Sequence, residues 1–398
     1  MVEVAIVGAG PSGLIAARDL ARLGVSVTVY EEHTAIGEPN HCAGILSVEG
    51  LERLDVEPSP EFLQHEVRGG TAYSPNGTPL RIKGDRTRAY IVDRAAFDRG
   101  LADSALDAGA EIRTGCRVTG LTVKGGRVQG VQGPSGAEEA QVVIDCEGVS
   151  GTLARQLGFQ TLRDGVLAGV NVGISEVEVE TNMVEVWMGG FASGLFAWTV
   201  PTGDSSLRCG LAYSGGDPAE RLRGFLRRRF GEVEPPDPKV WPVLTGGPVE
   251  RTFGEGLLLV GDVAGQVKPT TGGGVIMGGI CARMAAETAV EALEAGDASS
   301  VVLGRYEARW RKELESEFNA MLRARRFANR ISDDRLDRLF ASVGDAGLEE
   351  RLKHLVEGGD MDMQSRVLRA ALTDPQLVGV VARSLGTMLY RELVALFP

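Results

Sequence analysis

Glycines at 8, 10 and 13, set between an apolar run and a helical stretch, leave few folds open to this chain. Val2–Val7 reads as a strand, Leu14–Leu23 has helical periodicity, and Val25–Tyr30 is a second β-rich run, so the segment is a β-α-β unit. In Gly8-Ala9-Gly10-Pro11-Ser12-Gly13 the glycines allow a tight turn, close approach of backbone to a pyrophosphate, and close packing of the helix that follows. The signal is weak by itself. It gains force from Glu31, followed by Glu32, at the end of the next strand, about 20 residues on, where a carboxylate can accept from both hydroxyls of a ribose. An adenine dinucleotide is the expected ligand, and a carboxylate at that position disfavours a phosphorylated ribose.

The 398 residues suffice for more than one hydrophobic core. With 54 acidic against 42 basic side chains the net charge is -12, which opposes non-specific attraction to nucleic acid or to an anionic bilayer. No apolar run approaches the roughly 18 to 20 residues that span a membrane, and the first residues pass straight into a strand; a cytoplasmic protein is expected, with peripheral contact at the inner face of the membrane left open. Five dispersed cysteines without a C-x-x-C pair, and four histidines without ligand spacing, speak against a disulfide framework and against a metal site.

Along the chain, the glycine- and proline-bearing stretch Gly37–Gly50 is too long for a tight connection and is a candidate site loop. Strand-like pieces at Val67–Tyr73 and Pro79–Lys83 precede a helical run from Arg94. Strands near Val166–Ile174, Met183–Met188, Leu195–Val200 and Leu207–Tyr213 suggest an antiparallel sheet. A helical run at Pro218–Phe230 and proline-rich Pro235–Pro238 lead back to an apolar strand ending at Val260, after which helices dominate. The pattern predicts a mixed α/β fold with three parts. A discontinuous nucleotide domain takes residues 1–66, 87–160 and 248–300, an antiparallel-sheet substrate domain 67–86 and 161–247, and a helical region 301–398.

Leu257-Leu258-Leu259-Val260-Gly261-Asp262-Val263-Ala264-Gly265, followed by Pro269 and the triplet Gly272-Gly273-Gly274 before Val275, resembles the glutathione-reductase-like, p-hydroxybenzoate-hydroxylase-type flavoproteins. That resemblance implies FAD, with Asp262 on the ribityl chain and the loop and helix start at Gly272–Val275 facing the flavin. Asp145-Cys146-Glu147-Gly148, followed by Arg155, is similar to a further element of the same family, with Glu147 departing from its pattern. Asp93-Arg94 with Phe97 and Asp98 resembles its D-R-x-x-F-D helix start, which implies Arg94 near the FAD phosphates or adenosine. The cofactor set implied by the resemblance is Gly8, Gly10, Pro11, Ser12, Gly13, Glu31, Glu32, Cys42, Ala43, Gly44, Arg94, Val118, Asp145, Gly148, Asp262, Gly272, Gly273, Gly274 and Val275. In ordinary structural terms the two arginines are surface ion-pair partners and Asp262 a helix cap.

Gly194-Leu195-Phe196-Ala197-Trp198-Thr199-Val200-Pro201-Thr202-Gly203 resembles the signature of the geranylgeranyl reductases, with Phe196 and Val200 where tyrosine and phenylalanine are common. Phe196 and Trp198, two apart on a strand, share one face and can line an apolar channel, although aromatics so spaced also serve as plain sheet core. With Pro201, Gly203 and Pro269 they make up the substrate set. Glu38-Pro39-Asn40-His41-Cys42-Ala43-Gly44 is similar to the cysteine-glycine loop of the archaeal members, which implies that Cys42 faces flavin and substrate. A lone cysteine is otherwise a small buried hydrophobe.

The resemblance implies an FAD-dependent reductase that saturates the double bonds of geranylgeranyl chains, with hydride from reduced flavin N5 and a proton from Cys42 or water. The electrons come from NAD(P)H bound transiently or from a docking ferredoxin. Two alternatives stay open: an FAD-dependent aromatic monooxygenase or halogenase, and a flavoprotein that binds isoprenoid without turning it over.

Overall fold

The computed structural model describes residues 2–160, 165–231 and 238–395. The proline-rich stretch predicted at 235–238 falls largely outside them. Three sheets and a carboxyl-terminal set of helices form the fold.

The first sheet is built on five parallel strands: Leu257–Leu259, Gly136–Asp145, Val2–Val7, Val27–Tyr30 and Glu111–Arg113, side by side in that order. Their central residues, among them Val4–Val7, Val27–Tyr30, Val142–Ile144 and Leu257–Leu259, are buried on both faces, as expected of strands covered on both sides. Val4, Ile6, Val29, Val142 and Ile144 point to one cluster with the helices Pro11–Arg22, Arg94–Asp107 and Val275–Ala295; Ala5, Val7, Val143 and Leu257 point to a second. Parallel alignment has a direct consequence. The segments that follow Val7, Tyr30, Asp145 and Leu259 all emerge at one edge, so the glycine loop, Glu31, Glu147 and Asp262 are neighbours in space although far apart in sequence.

The second sheet has seven strands, running from Lys239–Leu244 through Val166–Ser175, Ser206–Tyr213, Gly194–Gly203, Met183–Trp187 and Gly69–Tyr73 to Pro79–Lys83. It is antiparallel except where Met183–Trp187 meets Gly69–Tyr73 in parallel. The predicted single strand Val67–Tyr73 is two. Leu63–Val67 joins a small three-stranded sheet, and Gly69–Tyr73 joins the large one, the break falling at Arg68, whose N–H bonds Asn182 O at 2.9 Å. One face of the large sheet, with Val170, Val172, Leu207, Cys209 and Leu211, is covered by the helix Pro218–Phe230 through Leu222, Phe225 and Leu226. The other face carries Trp198, Val200, Leu167 and Ala212 and packs on Val67, Ala89 and Ile91 of the three-stranded sheet.

Two indoles lie flat on that second face. Trp198 covers Gly210 of the adjoining strand, where an added Cβ would stand 2.5 Å from the ring. Trp241 covers Gly169 in the same way, with an added Cβ 3.0 Å from Nε1. Pro242, beside Trp241, is tolerated because its strand is at the sheet edge.

After the 29-residue helix Ser300–Ala328 come five shorter helices, ending with Thr387–Ala395. No helix among the described residues is long and apolar enough to cross a membrane.

Candidate flavin crevice and its apolar wall

The crevice starts at the carboxyl edge of the parallel sheet. Gly8 has φ of 94°, and an added Cβ would strike the Cys146 carbonyl; a Cβ on Gly13 would fall well inside contact distance of the Gly8 carbonyl oxygen. A Cβ at Gly10 or Gly148 would meet nothing within 4 Å, so both glycines border open space. Pro11 occupies the first turn of its helix, and Gly10 gives it no side-chain cap. The amino-terminal N–H groups of that helix are therefore left for a ligand. Ser12 packs its hydroxyl against Gly261 and Gly278 and so fixes the distance between two helix starts.

Glu31 is mostly buried. Its Oε2 accepts from Ala9 N at 2.8 Å and its Oε1 from His33 N at 2.9 Å, which ties the glycine loop to the end of the second strand. Cys116 N–H donates to Glu31 O at 2.7 Å, and Arg117 lies 3.4 Å from Glu32, which brings half-buried Val118 to the same end. Asp145 is fully buried. Oδ1 accepts from Glu147 N at 3.0 Å, while Oδ2 has no partner among the described residues, and burial, then the neighbouring Glu147, pushes the carboxyl well up. An acceptor buried without a donor is one that a ligand can satisfy. Glu147, the departure from the family pattern, has a local explanation: Oε1 accepts from Leu153 N at 2.7 Å and starts the helix Thr152–Gln156. Arg155 is exposed at the end of that helix.

Asp262 stands across the crevice from Arg94. Burial pushes its carboxyl up, and the Arg94 charge opposes that shift. Gly274 leaves it room, since an added Cβ would be 2.7 Å from Oδ1. Like the first helix, Val275–Ala295 begins without a side-chain cap. The turn before it is held from behind by Arg325, whose guanidinium donates to Pro269 O at 3.2 Å and to Thr270 O; burial alone lowers Arg325 to about 10.

Cys42 sits at the junction of the two sheets. Gly44 N–H points to its Sγ at 3.4 Å, and the Arg94 charge lies close enough to act on it. Burial works against the Arg94 charge, but Asp98, 3.1 Å away, and Cys42 hold its pKa above the usual arginine range. Asp93 starts the Arg94 helix by accepting from Ala95 N and Ala96 N at 2.9 and 3.1 Å. Arg208 comes from the large sheet, donates to Ala43 O at 2.7 Å, and is pushed down by burial, with Cys42 acting the other way. Gly44 has φ of 76° and no room for a Cβ, which would stand 2.5 Å from Arg208 Nη1.

Phe196 and Trp198 do share a face, 6.3 Å apart and edge to face. Trp198 is 8 % exposed, and its Nε1 is buried with no partner among the described residues. Ala43, Ile45, Trp241, Val243 and Met361 pack around the pair, and His41 lies 5.2 Å from the Trp241 ring. Pro201 pairs with Leu207 on the opposite face, and Gly203 pairs with Ser206 at the hairpin end, so these two shape the strand and do not join the aromatics. Pro269 is at the crevice through its loop. Arg208 and Trp241 were not singled out from sequence; a lone arginine in a strand and a tryptophan beside proline gave no spacing to find them by. Open clefts exist elsewhere, the larger of about 550 Å³ between Arg22, Asp55, Phe62 and Asp107, on the far side of the nucleotide sheet's helices. Its charged rim is solvated surface, and no site residue lines it. Among the described residues no cluster of histidine, cysteine and carboxylate could hold a metal.

A two-loop crevice with two uncapped helix starts, open glycines and an unsatisfied buried carboxylate fits an extended dinucleotide, and comparison with known proteins names it. Residues 1–316 match the FAD binding domain family. Digeranylgeranylglycerophospholipid reductase 2 of Methanothermobacter thermautotrophicus is 35 % identical over 354 residues, 86 % of this chain and 91 % of that protein. Among solved structures, a geranylgeranyl bacteriochlorophyll reductase-like protein from Thermoplasma acidophilum superposes with a TM-score of 0.83 at 23 % identity, covering 96 % of this chain and 99 % of that one. A flavin-dependent brominase superposes at 0.68 and 16 % identity, over 91 % of this chain and 94 % of its own, which shows the shared fold alone. The chain is an FAD-dependent oxidoreductase that belongs to the FAD binding domain family and, within it, to the family of the digeranylgeranylglycerophospholipid reductases.

Proposed function

We propose that this protein saturates carbon-carbon double bonds in the geranylgeranyl chains of a glycerophospholipid. The observation that carries the reading is the packing of the cysteine loop, through His41, Ala43 and Ile45, on the Phe196–Trp198–Trp241 wall. The name of the 35 % identical relative supports the substrate class. Residues 1–66, 87–160 and 248–300 are the cofactor part in this reading, and 67–86 with 161–247 the lipid part.

Gly8, Gly10, Gly13 and the helix start at Pro11 would hold the FAD pyrophosphate, Glu31 the ribose, and Asp262 the ribityl chain. Bound and reduced, the flavin supplies a hydride equivalent and is left oxidised. An isolated alkene has no carbonyl to receive negative charge, so a proton must reach one carbon as hydride reaches the other. Cys42 Sγ gives that proton, forming the second C–H bond. The thiolate left behind is stabilised by the Arg94 guanidinium, the Arg208 charge and the Gly44 N–H until water reprotonates it. The aromatic wall orients the double bond and excludes water. NAD(P)H or a reduced ferredoxin supplies the electrons.

The test is mass spectrometry of digeranylgeranyl phospholipid incubated with the dithionite-reduced protein. A gain of about two mass units per double bond is expected; lipid recovered unchanged, with the flavin still reduced, would reject the reaction. On the cofactor side, Glu31→Gln removes a charge-assisted acceptor, which is worth about 1.5–3 kcal/mol, so FAD affinity should fall by about 10- to 100-fold in a fluorescence titration of the apoprotein. An unchanged affinity would free Glu31 from that role.

A further inference from the structure

The stretch Asp360–Gln364 lies beyond residue 316, where the family match ends, yet its side chains reach both loops that frame the crevice. Asp362 is fully buried. Its Oδ1 takes Lys268 Nζ at 2.6 Å, and its Oδ2 takes the Ser47 hydroxyl, just after the cysteine loop. Thr270 Oγ1 donates to Gln364 Oε1 at 2.8 Å. Asp360 secures the stretch by accepting from Asp362 N at 2.7 Å and Met363 N at 3.0 Å, and by pairing with Arg53.

Lys268 is also the closure of its own turn. Its N–H donates to Gly273 O at 3.0 Å, its carbonyl accepts from Gly272 N at 2.8 Å, and its Cε lies 2.9 Å from where a Gly273 Cβ would be. The ammonium thus stands at the foot of Gly272–Gly274, the turn that opens onto Asp262. A buried ion pair is a poor source of stability, because desolvation offsets its attraction. In a poorly polarisable interior, however, either charge alone acts strongly on its surroundings, whereas the pair nearly cancels.

We propose that Lys268 and Asp362 are a positioning pair that sets the reduction potential of the flavin: the Lys268 cation favours the electron-rich reduced form, and Asp362 holds that cation in place and restrains it. This rests on FAD in the crevice and not on the identity of the lipid. A purely structural clamp would make either loss act in the same direction. A charge pair makes the two losses act in opposite directions.

The test is anaerobic equilibration of the holoprotein, without lipid, against a dye of known potential at one fixed pH. Lys268→Gln is expected to move the equilibrium toward oxidised flavin by about tenfold, about 30 mV for two electrons. Asp362→Asn is expected to move it toward reduced flavin, and Lys268→Arg to stay near the parent value. Lys268 is 13 % exposed in its side chain, so its replacement threatens folding less; if Asp362→Asn does not accumulate, the contrast between Lys268→Gln and Lys268→Arg decides alone. Shifts of Lys268→Gln and Asp362→Asn in one direction, or a Lys268→Gln protein indistinguishable from Lys268→Arg, would overturn the proposal. Failure of the lipid reaction would leave this measurement unaffected.

Discussion

Gly13→Val should purify as a colourless protein. The side chain would enter the space of the Gly8 carbonyl oxygen, which is backbone and cannot rotate away, and the Ile6 methyl behind it is 3.4 Å from the same point. The loop must move, and with it the N–H groups proposed to hold the pyrophosphate. Losing two such charge-assisted bonds costs about 3–6 kcal/mol, which is about 10²- to 10⁴-fold in affinity. Overpacking adds about 1–3 kcal/mol of destabilisation, a modest fraction of the stability of a protein with cores this extensive. Absorbance at the flavin band per mole of purified chain, with circular dichroism to establish folding, measures the outcome. A yellow Gly13→Val protein would mean that the cofactor does not lie along this loop.

The second large effect is expected from Cys42→Ala. The sulfur accepts only the Gly44 N–H at 3.4 Å among the described backbone groups, and the glycine loop, Glu31 and Asp262 do not touch it, so bound flavin should be retained and its absorbance per chain should match the parent. Single-turnover oxidation of the reduced protein by lipid should slow by about 10²- to 10⁴-fold, the usual worth of a positioned proton donor. Arg94 and Arg208 would remain, two buried cations facing a methyl group, and cannot themselves give up a proton at neutral pH. An unchanged rate would assign the proton to an ordered water. Stopped-flow absorbance separates the cases directly, because it records oxidation of the flavin in one pass and is indifferent to how electrons are supplied.

The nucleotide half was legible because its signals are local. A glycine that must have positive φ, a helix that must start without a side chain, and a strand buried on both faces each leave a mark within ten residues. The aromatic pair was legible for the same reason, since alternation along one strand fixes a shared face. What stayed hidden depends on pairing across the fold. Trp241 reaches the wall only because its strand lies beside Gly169, and Arg208 reaches Ala43 O only because the large sheet meets the cysteine loop there. Glu147 departs from the family pattern for a reason that only the fold shows, since its carboxylate serves the next helix. Pro201 and Gly203 belong to the signature through the hairpin they shape.

Asp362 offers the sharpest case, an ordinary acidic residue in a short polar stretch that meets Ser47 across 315 positions of chain. Contacts that distant are late in any order of events, since the intervening polypeptide must be ordered before they can form. During synthesis the amino-terminal half of the crevice leaves the ribosome long before the residues that brace it, so the cofactor site is one of the last places to reach its final shape. A chain that stops where the family match ends would lack the brace on both loops and the Arg325 bonds to Pro269 O and Thr270 O.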